Sequence, residues 1–380
     1  MDSVHKSRPT NSPPDHPQVA RGRTGVLIAN LGTPDSTNYL AMRRYLNEFL
    51  SDRRVIDYPR WKWQPILQLI VLSKRPFTSG KAYRTIWNEE DDESPLLTIT
   101  RRQSDLLSAR LETRFGDRVL VDFCMRYGNP SVESALERML AAGCRRIVYF
   151  PLYPQYSATT TATACDQLFK SLRTTKWQPA IRVVEPYFDH PKYIDALASS
   201  VEDEWPNLEF EPQKLLVSFH GLPRRYLLEG DPYHCHCMKT ARLLRQRLGW
   251  SGERLSVAFQ SRFGSEEWLK PYAVEEVVRL ARGGCERLAV MAPGFASDCI
   301  ETLEEIQDEI RDEYISAGGR RFAYLPCLND SPQHIDMLES LVIENLAGWA
   351  CRRQATDAVV SAASPSVSAA EACRPAASGT

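Results

Sequence analysis

The chain has 380 residues, 47 Lys and Arg against 48 Asp and Glu, and ten cysteines. That length asks for one oversized domain or two ordinary ones. A net charge of −1 gives no general attraction to nucleic acid, and cysteines scattered through a long chain do not make a secreted disulfide framework.

Residues 1–23, MDSVHKSRPTNSPPDHPQVARGR, have no apolar segment of the kind a signal peptide needs, and their Pro and Ser content predicts disorder. The Ala/Ser-rich tail beyond Gln354 is also expected to be disordered. No apolar run approaches the ~18–20 residues of a membrane span, and a cytoplasmic location is expected.

Strand-like runs end in a turn or a proline at 24–34, 118–128, 145–157, 214–223, 254–264 and 287–295. Helical periodicity is predicted at 131–142, 193–205, 238–248, 273–282, 299–313 and 332–347. Continuous Val/Ile/Leu runs alternating with helices imply parallel strands buried on both faces, hence an α/β fold. The pattern occurs twice. VLVDFCMRYG (119–128) matches LSVAFQSRFG (255–264), GCRRIVYF (143–150) matches GCERLAVM (284–291), and NLGTP (30–34) matches FHGLP (219–223). Two similar α/β domains with a cleft between them are therefore expected, and domain interfaces are preferred ligand sites. Neither G-x-G-x-x-G nor a P-loop is present, which removes the best support for nucleotide binding.

His220 ends the apolar strand LLVSF and precedes Gly221 and Pro223, a turn that would expose its imidazole at the strand end. His190 and His334 precede or open helices and read as surface or capping residues. The run HCHC (234–237) is too compact for four ligands to close on one tetrahedral ion, so it reads as a helix entrance. Past Pro293 the chain turns into an acid-rich helix. Asp298, Glu301, Glu305 and Asp308 are spaced three, four and three apart and would line one face of it. That stripe is either a solvated face or part of a ligand site; its place after a strand's C-terminal end favours the site. The segment 58–77, YPRWKWQPILQLIVLSKRPF, mixes aromatic, aliphatic and basic groups. It reads as an interface or the lip of a site for a large apolar, acidic ligand, with a buried helix as the alternative.

These stretches resemble the ferrochelatase family, whose members insert Fe(II) into a porphyrin. The resemblance is carried by LIANLGTPD, FLSDRRVID, MRYG, PLYPQYS, SFHGLPRRY, GDPY, FQSRFG, EWLKPY and GFASDCIETLEEI, in that order, over about residues 24–350. It implies two similar Rossmann-like domains, each a parallel sheet flanked by helices, with the active site in the cleft. The expected divisions are an extension at 1–21, a first domain with the lip at 22–155, a second at 156–325, a segment with the last helix at 326–350, and a tail at 351–380.

The resemblance further implies His220 and Glu301 as catalytic residues and iron ligands. It places Tyr83, Arg75, Arg126, Tyr127, Phe259, Phe295 and Asp298 against the porphyrin, with Glu305 and Asp308 on an acidic path. The implied reaction partners are protoporphyrin IX and Fe(II), with peripheral membrane contact through 58–77. A coproporphyrin-using enzyme and a non-catalytic tetrapyrrole carrier are the alternatives. Many relatives read SDH where this chain reads SDC, with Cys299, so that histidine's role does not transfer. Some members carry a [2Fe–2S] cluster on four cysteines, one of them in YPQYSCST. Here Ala158 stands at that position and the tail offers only Cys351 and Cys373, so no cluster and no cofactor beyond the substrates are expected.

Overall fold

The computed structural model describes residues 22–350. The expected disordered lead and tail, with His5, His16, Cys351 and Cys373, lie outside the described residues.

Two parallel sheets of four strands form the frame. The first holds β1 (Arg23–Thr33), β2 (Val119–Gly128), β3 (Cys144–Pro151) and β4 (Ala180–Val183). The second holds β5 (Lys214–His220), β6 (Leu255–Gln260), β7 (Arg287–Met291) and β8 (Arg321–Leu325). The strand orders are β2-β1-β3-β4 and β6-β5-β7-β8, the same topology twice, as the sequence repeat implies. β4 and β8 escape sequence reading because they are short edge strands with arginine or aromatic interruptions rather than apolar runs. β4 also corrects the expected boundary at 155/156. It pairs with β3 from Arg146↔Ala180 to Tyr149↔Val183, so the first sheet extends to Val183.

The helices of the first half are α1 (Tyr39–Leu50), α2 (Arg60–Ile66), α3 (Leu72–Ile86), α4 (Pro95–Phe115), α5 (Val132–Ala141), α6 (Thr163–Leu172) and α7 (Pro191–Glu204). Those of the second are α8 (Arg224–Leu228), α9 (Tyr233–Arg247), α10 (Ala273–Arg282), α11 (Ile300–Leu303), α12 (Arg311–Ser316) and α13 (Pro332–Leu346). Three helices of the central layer start alike. Ser94, His190 and Ser331 each accept a backbone N–H with the side chain, and Pro95, Pro191 and Pro332 follow at the first helical position. A capping acceptor followed by a residue that has no N–H to satisfy is a strong helix start.

Both sheets bury one face in a single core. Val26, Ile28, Val148 and Phe150 of the first sheet and Leu215, Val217, Phe219 and Met291 of the second join one apolar cluster filled by α4, α7, α9 and α13. A fully buried Leu, Ile or Phe in such a core contributes about 1.5–3 kcal/mol. Alternation sends the intervening residues outward: Leu27 and Ala29 pack under α5 and α6, and Leu216 and Ala258 under α10 and the acidic helix. A fourth cluster lies beneath the excursion 39–87 and includes Met42, Tyr45, Leu67, Leu72, Tyr83 and Tyr127.

His190 caps α7, as read from the sequence, but His334 is neither exposed nor a cap. It is 1 % exposed, and its Nδ1 donates to the Asn329 carbonyl at 2.5 Å. The cap of α13 is Ser331, so the imidazole turns inward. Burial lowers its pKa from 6.5 to about 4. The neutral form is therefore the folded one, and the unfolded chain takes up the proton first. Its contribution is complete above pH 6.5 and is lost as pH falls towards 4, reaching about 3 kcal/mol. His334→Gln should flatten the stability–pH curve in this window relative to the parent. Parallel denaturant titrations at pH 7 and 4.5 test this, and identical pH slopes would refute it.

Candidate active site

β5 ends at His220, and the next residue has to be glycine. A Cβ on Gly221 would lie 2.6 Å from the Gln260 carbonyl and 3.0 Å from the Trp268 ring, because Gly221 N donates to that carbonyl at 2.7 Å. The tight turn leaves His220 half-buried, with Nδ1 donating to the Gly221 carbonyl at 2.6 Å. This fixes the tautomer and leaves the Nε2 lone pair for a proton or a cation. Phe219 and Phe259 are register partners facing the shared core, so His220 and its partner Gln260 point to the opposite face.

That face meets the acidic helix. Gln260 Nε2 donates to the Glu301 carbonyl at 2.7 Å and to the Glu305 carboxylate at 3.2 Å, and Ser261 holds Glu305 through N at 2.6 Å and Oγ at 2.5 Å. Burial raises the Glu305 pKa; the Ser261 hydrogen bond and nearby His220 oppose the rise, and Glu301 adds to it. His220 and Glu301 therefore both act electrostatically on Glu305. The opposite wall comes from the excursion. The hydroxyls of Tyr45 and Tyr83 are buried and their pKa values are raised, first by burial and then by charges that include Glu301.

The acidic stripe does not form as α-helical spacing predicts. α11 is one turn long, capped by Cys299, and a π-helical segment, Glu305–Ile310, follows before α12. The wider i→i+5 winding resets the face, and such segments are frequent at functional sites. Asp298 lies before the cap and drops out of the stripe. Its carboxylate is buried and accepts from Tyr324 Oη at 2.5 Å, Asn329 Nδ2 at 2.6 Å and Thr302 Oγ1 at 3.0 Å. It anchors the loop that delivers Glu301 and is not a group on a cation path. Glu304 takes its place among the acids. Burial raises the Glu304 pKa, and Glu309, Glu305, Asp308 and Glu301 raise it further. Asp308, at the outer end, is half-exposed and 3.6 Å from Arg311.

Three other expected contacts are displaced. Tyr127 and Phe259 are 0 % and 1 % exposed and have no surface to offer a ligand. Phe259 is in the shared core and stacks on His234 at 5.6 Å. Arg126 and Tyr127 form a brace behind the wall. The guanidinium binds Asp52 at 2.5 Å and Thr163 Oγ1 at 2.8 Å, and the phenol donates to Asp52 at 2.8 Å. The strand alternation that buries Tyr127 was readable; the pairing with Asp52, 75 residues away, was not. Phe295 is half-buried against the outer core of the second sheet, and Arg75 is exposed on α3.

Sequence reading missed several supporting groups. Gln260 and Ser261 orient the acids. Gln103 of α4 donates across the domains to the carbonyls of Asn329 at 2.8 Å and Ala296 at 3.1 Å. The buried Tyr153 hydroxyl, electrostatically coupled to Tyr45 and Arg126, has no hydrogen-bond partner among the described residues. Gln260 and Ser261 lie in FQSRFG and Tyr153 in PLYPQYS, so those motifs carried a signal, whereas Gln103 had none.

The lip is half core and half surface. Leu67 and Leu72 are fully buried, and Trp63 donates Nε1 to the Leu50 carbonyl at 2.7 Å. Trp61 and Leu69 are each 75 % exposed, with Phe77 at 65 % and Ile70 at 58 %. Leu69 and Ile70 lie on the π-helical segment Leu67–Val71 between α2, which carries Trp61, and α3, which carries Phe77. No helix among the described residues is long and apolar enough to cross a membrane.

The chain is similar to known proteins over most of its length. The family model Ferrochelatase matches residues 23–346. The chain is 62 % identical to the Ferrochelatase of Rhodobacter capsulatus over 340 residues, covering 89 % of this chain and 97 % of that one. It is 54 % identical to the Ferrochelatase of Rhizobium etli (strain CIAT 652) over 337 residues, covering 89 % and 97 %. Among solved structures it is similar to the sirohydrochlorin chelatase SirB from Bacillus subtilis subspecies spizizenii in complex with cobalt. That likeness has a TM-score of 0.49 at 10 % identity and covers 86 % of this chain and 98 % of that one. With the family model spanning nearly all of the described residues, the chain belongs to the ferrochelatase family, enzymes of metal insertion into porphyrins.

Proposed function

We propose that this enzyme inserts Fe(II) into protoporphyrin IX and releases two protons, with His220 and Glu301 as the reacting pair. The observation that carries this reading is the convergence of a fixed-tautomer imidazole and an acid-rich π-helical segment on one side of β5 and β6. A flat porphyrin hides its nitrogen lone pairs and holds two N–H protons. Insertion must bend the ring, remove the protons and present Fe²⁺. Nε2 of His220 can accept a pyrrole proton or hold the cation, and Glu301 can do the complementary task. Glu304, Glu305 and Asp308 continue the negative field outward, which concentrates cations and exports protons.

Protoporphyrin is favoured over coproporphyrin by the lip, where Trp61, Leu69, Ile70 and Phe77 offer apolar surface to a substrate with fewer carboxylates. Cluster-free chemistry is favoured by Ala158 and by the cysteines' separation: Cys124, Cys144, Cys285 and Cys299 are buried on different elements. Protein purified without oxygen should convert protoporphyrin at least about tenfold faster, by kcat/KM, than coproporphyrin. The same preparation should contain no acid-labile sulfide. A coproporphyrin preference would move the enzyme to the second substrate class, and stoichiometric sulfide would overturn the cluster-free reading.

The exposed lip surface also suits peripheral contact with a membrane, a natural source of an apolar substrate. Replacing Trp61, Leu69 and Ile70 by Ser should reduce co-sedimentation with anionic liposomes by more than about tenfold, at ~0.8 kcal/mol per CH₂ withdrawn from the bilayer. Trp63 is left intact because it holds α2 to α1. Unchanged sedimentation would confine the patch to substrate handling.

A further inference from the structure

On the face of the second sheet opposite His220, α9 and the edge strand β6 border a groove of ≈ 730 Å³. That lies within the ~300–1,000 Å³ of small-molecule sites. Met238, Leu255, Val257 and Pro271 give it an apolar floor. Lys239, Arg242, Arg245 and Lys270 rim it, and no carboxylate lines it. This is uneven for a chain with 48 acidic residues and almost no net charge. Lys239 is neutralised by Asp189 and Lys270 by Glu267, but Arg242 and Arg245 have no ion-pair partner among the described residues.

Cys235, Met238, Arg242 and Arg245 are spaced three, four and three apart and share one face of α9. Two metal-ligating groups, His234 and Cys235, complete the lining. The thiol is free and exposed, and the imidazole is held by its stack on Phe259 at 5.6 Å.

We propose that this groove is a second tetrapyrrole site, which holds a carboxylated metalloporphyrin outside the catalytic cleft. The macrocycle lies on the apolar floor, its carboxylates meet Arg242 and Arg245, and His234 or Cys235 ligates the metal. Each part of the lining then has a partner. A fatty acid would leave the ligating pair unused, and an acidic peptide would leave the floor uncovered. The inference rests on the porphyrin chemistry proposed above and gives the product a place to bind after it leaves the cleft.

Titration of the full chain with ferric protoporphyrin IX, followed by the Soret band, should show two equivalents bound. Arg242→Glu combined with Arg245→Glu should weaken one of them by about a hundredfold, as expected for two lost charge-assisted contacts, with the rate of metal insertion unchanged. His234→Ala combined with Cys235→Ala should shift the Soret maximum of that equivalent alone. A ferric porphyrin bearing only alkyl groups should fill at most the cleft. A single equivalent in the parent protein would overturn the proposal. So would a second equivalent that survives the charge reversal, or one displaced by palmitate at matched concentration, which would mark a site for fatty-acid anions. If the cleft prefers another porphyrin, the first equivalent and the insertion assay change while the groove's equivalent remains, so the two readings fail separately.

Discussion

His220→Ala is expected to lower metal insertion by about 10²–10⁴-fold, the range for a lost acid–base group, without unfolding the protein. The imidazole is half-buried, and its Nδ1 bond to the Gly221 carbonyl is its only hydrogen bond among the described residues, so truncation should cost no more than about 1 kcal/mol. The turn itself is held by the Gly221 N to Gln260 carbonyl bond, which does not involve the side chain. Anaerobic initial rates with ferrous iron, beside thermal melts of both proteins, separate the two effects. Turnover at the parent rate would remove His220 from the chemistry. Loss of rate with a collapsed melting temperature would make it a structural residue.

Glu301→Gln should cause a loss of comparable size. The amide keeps the shape but neither takes up a proton at neutral pH nor carries charge. The backbone at this position would be unaffected, because Gln260 binds the Glu301 carbonyl and Asp298 anchors the loop ahead of it. Glu305→Gln should slow the reaction less, by about tenfold, as one of several carboxylates in a shared field. Its carboxylate is already committed to Ser261 and Gln260. Equal losses in the two variants would mean that Glu305 shares the reacting role. A normal rate in Glu301→Gln would leave the imidazole without its partner.

The repeat of β1–β3 in β5–β7 was legible because the inner strands β1, β3, β5 and β7 are largely buried and read as apolar runs, while the runs that hold the edge strands β2 and β6 share Phe, Arg and Gly at matching places. The identity of topology follows from it. The excursion 39–87 was not legible as helices, since its side chains serve a cleft as well as a core. Met42, Leu67, Leu72 and Tyr83 are among its buried apolar residues, while Trp61 and Leu69 face outward. His220 stood out because it ends β5, and Glu301 because it lies on the acid-rich helix that follows β7. Asp298 was misread because its spacing fits an α-helix that has not yet begun at that residue. The π-helical winding after it has no period that a short acidic run can reveal. The supports, Gln103 to Asn329 and Tyr127 to Asp52, join distant parts of the chain and leave no local pattern.

The shared core has a mechanical consequence. Two lobes hinged on a linker would open around a stiff, flat guest and spend no force on it. Here the sheets behind the cleft are opposite boundaries of one packed interior, spanned by α4, α7, α9 and α13. Interiors at crystal-like density compress little. On the function proposed above, a ring pressed between His220 and the tyrosine wall would meet a vice with a fixed gap, and the softer body, the macrocycle, would bend.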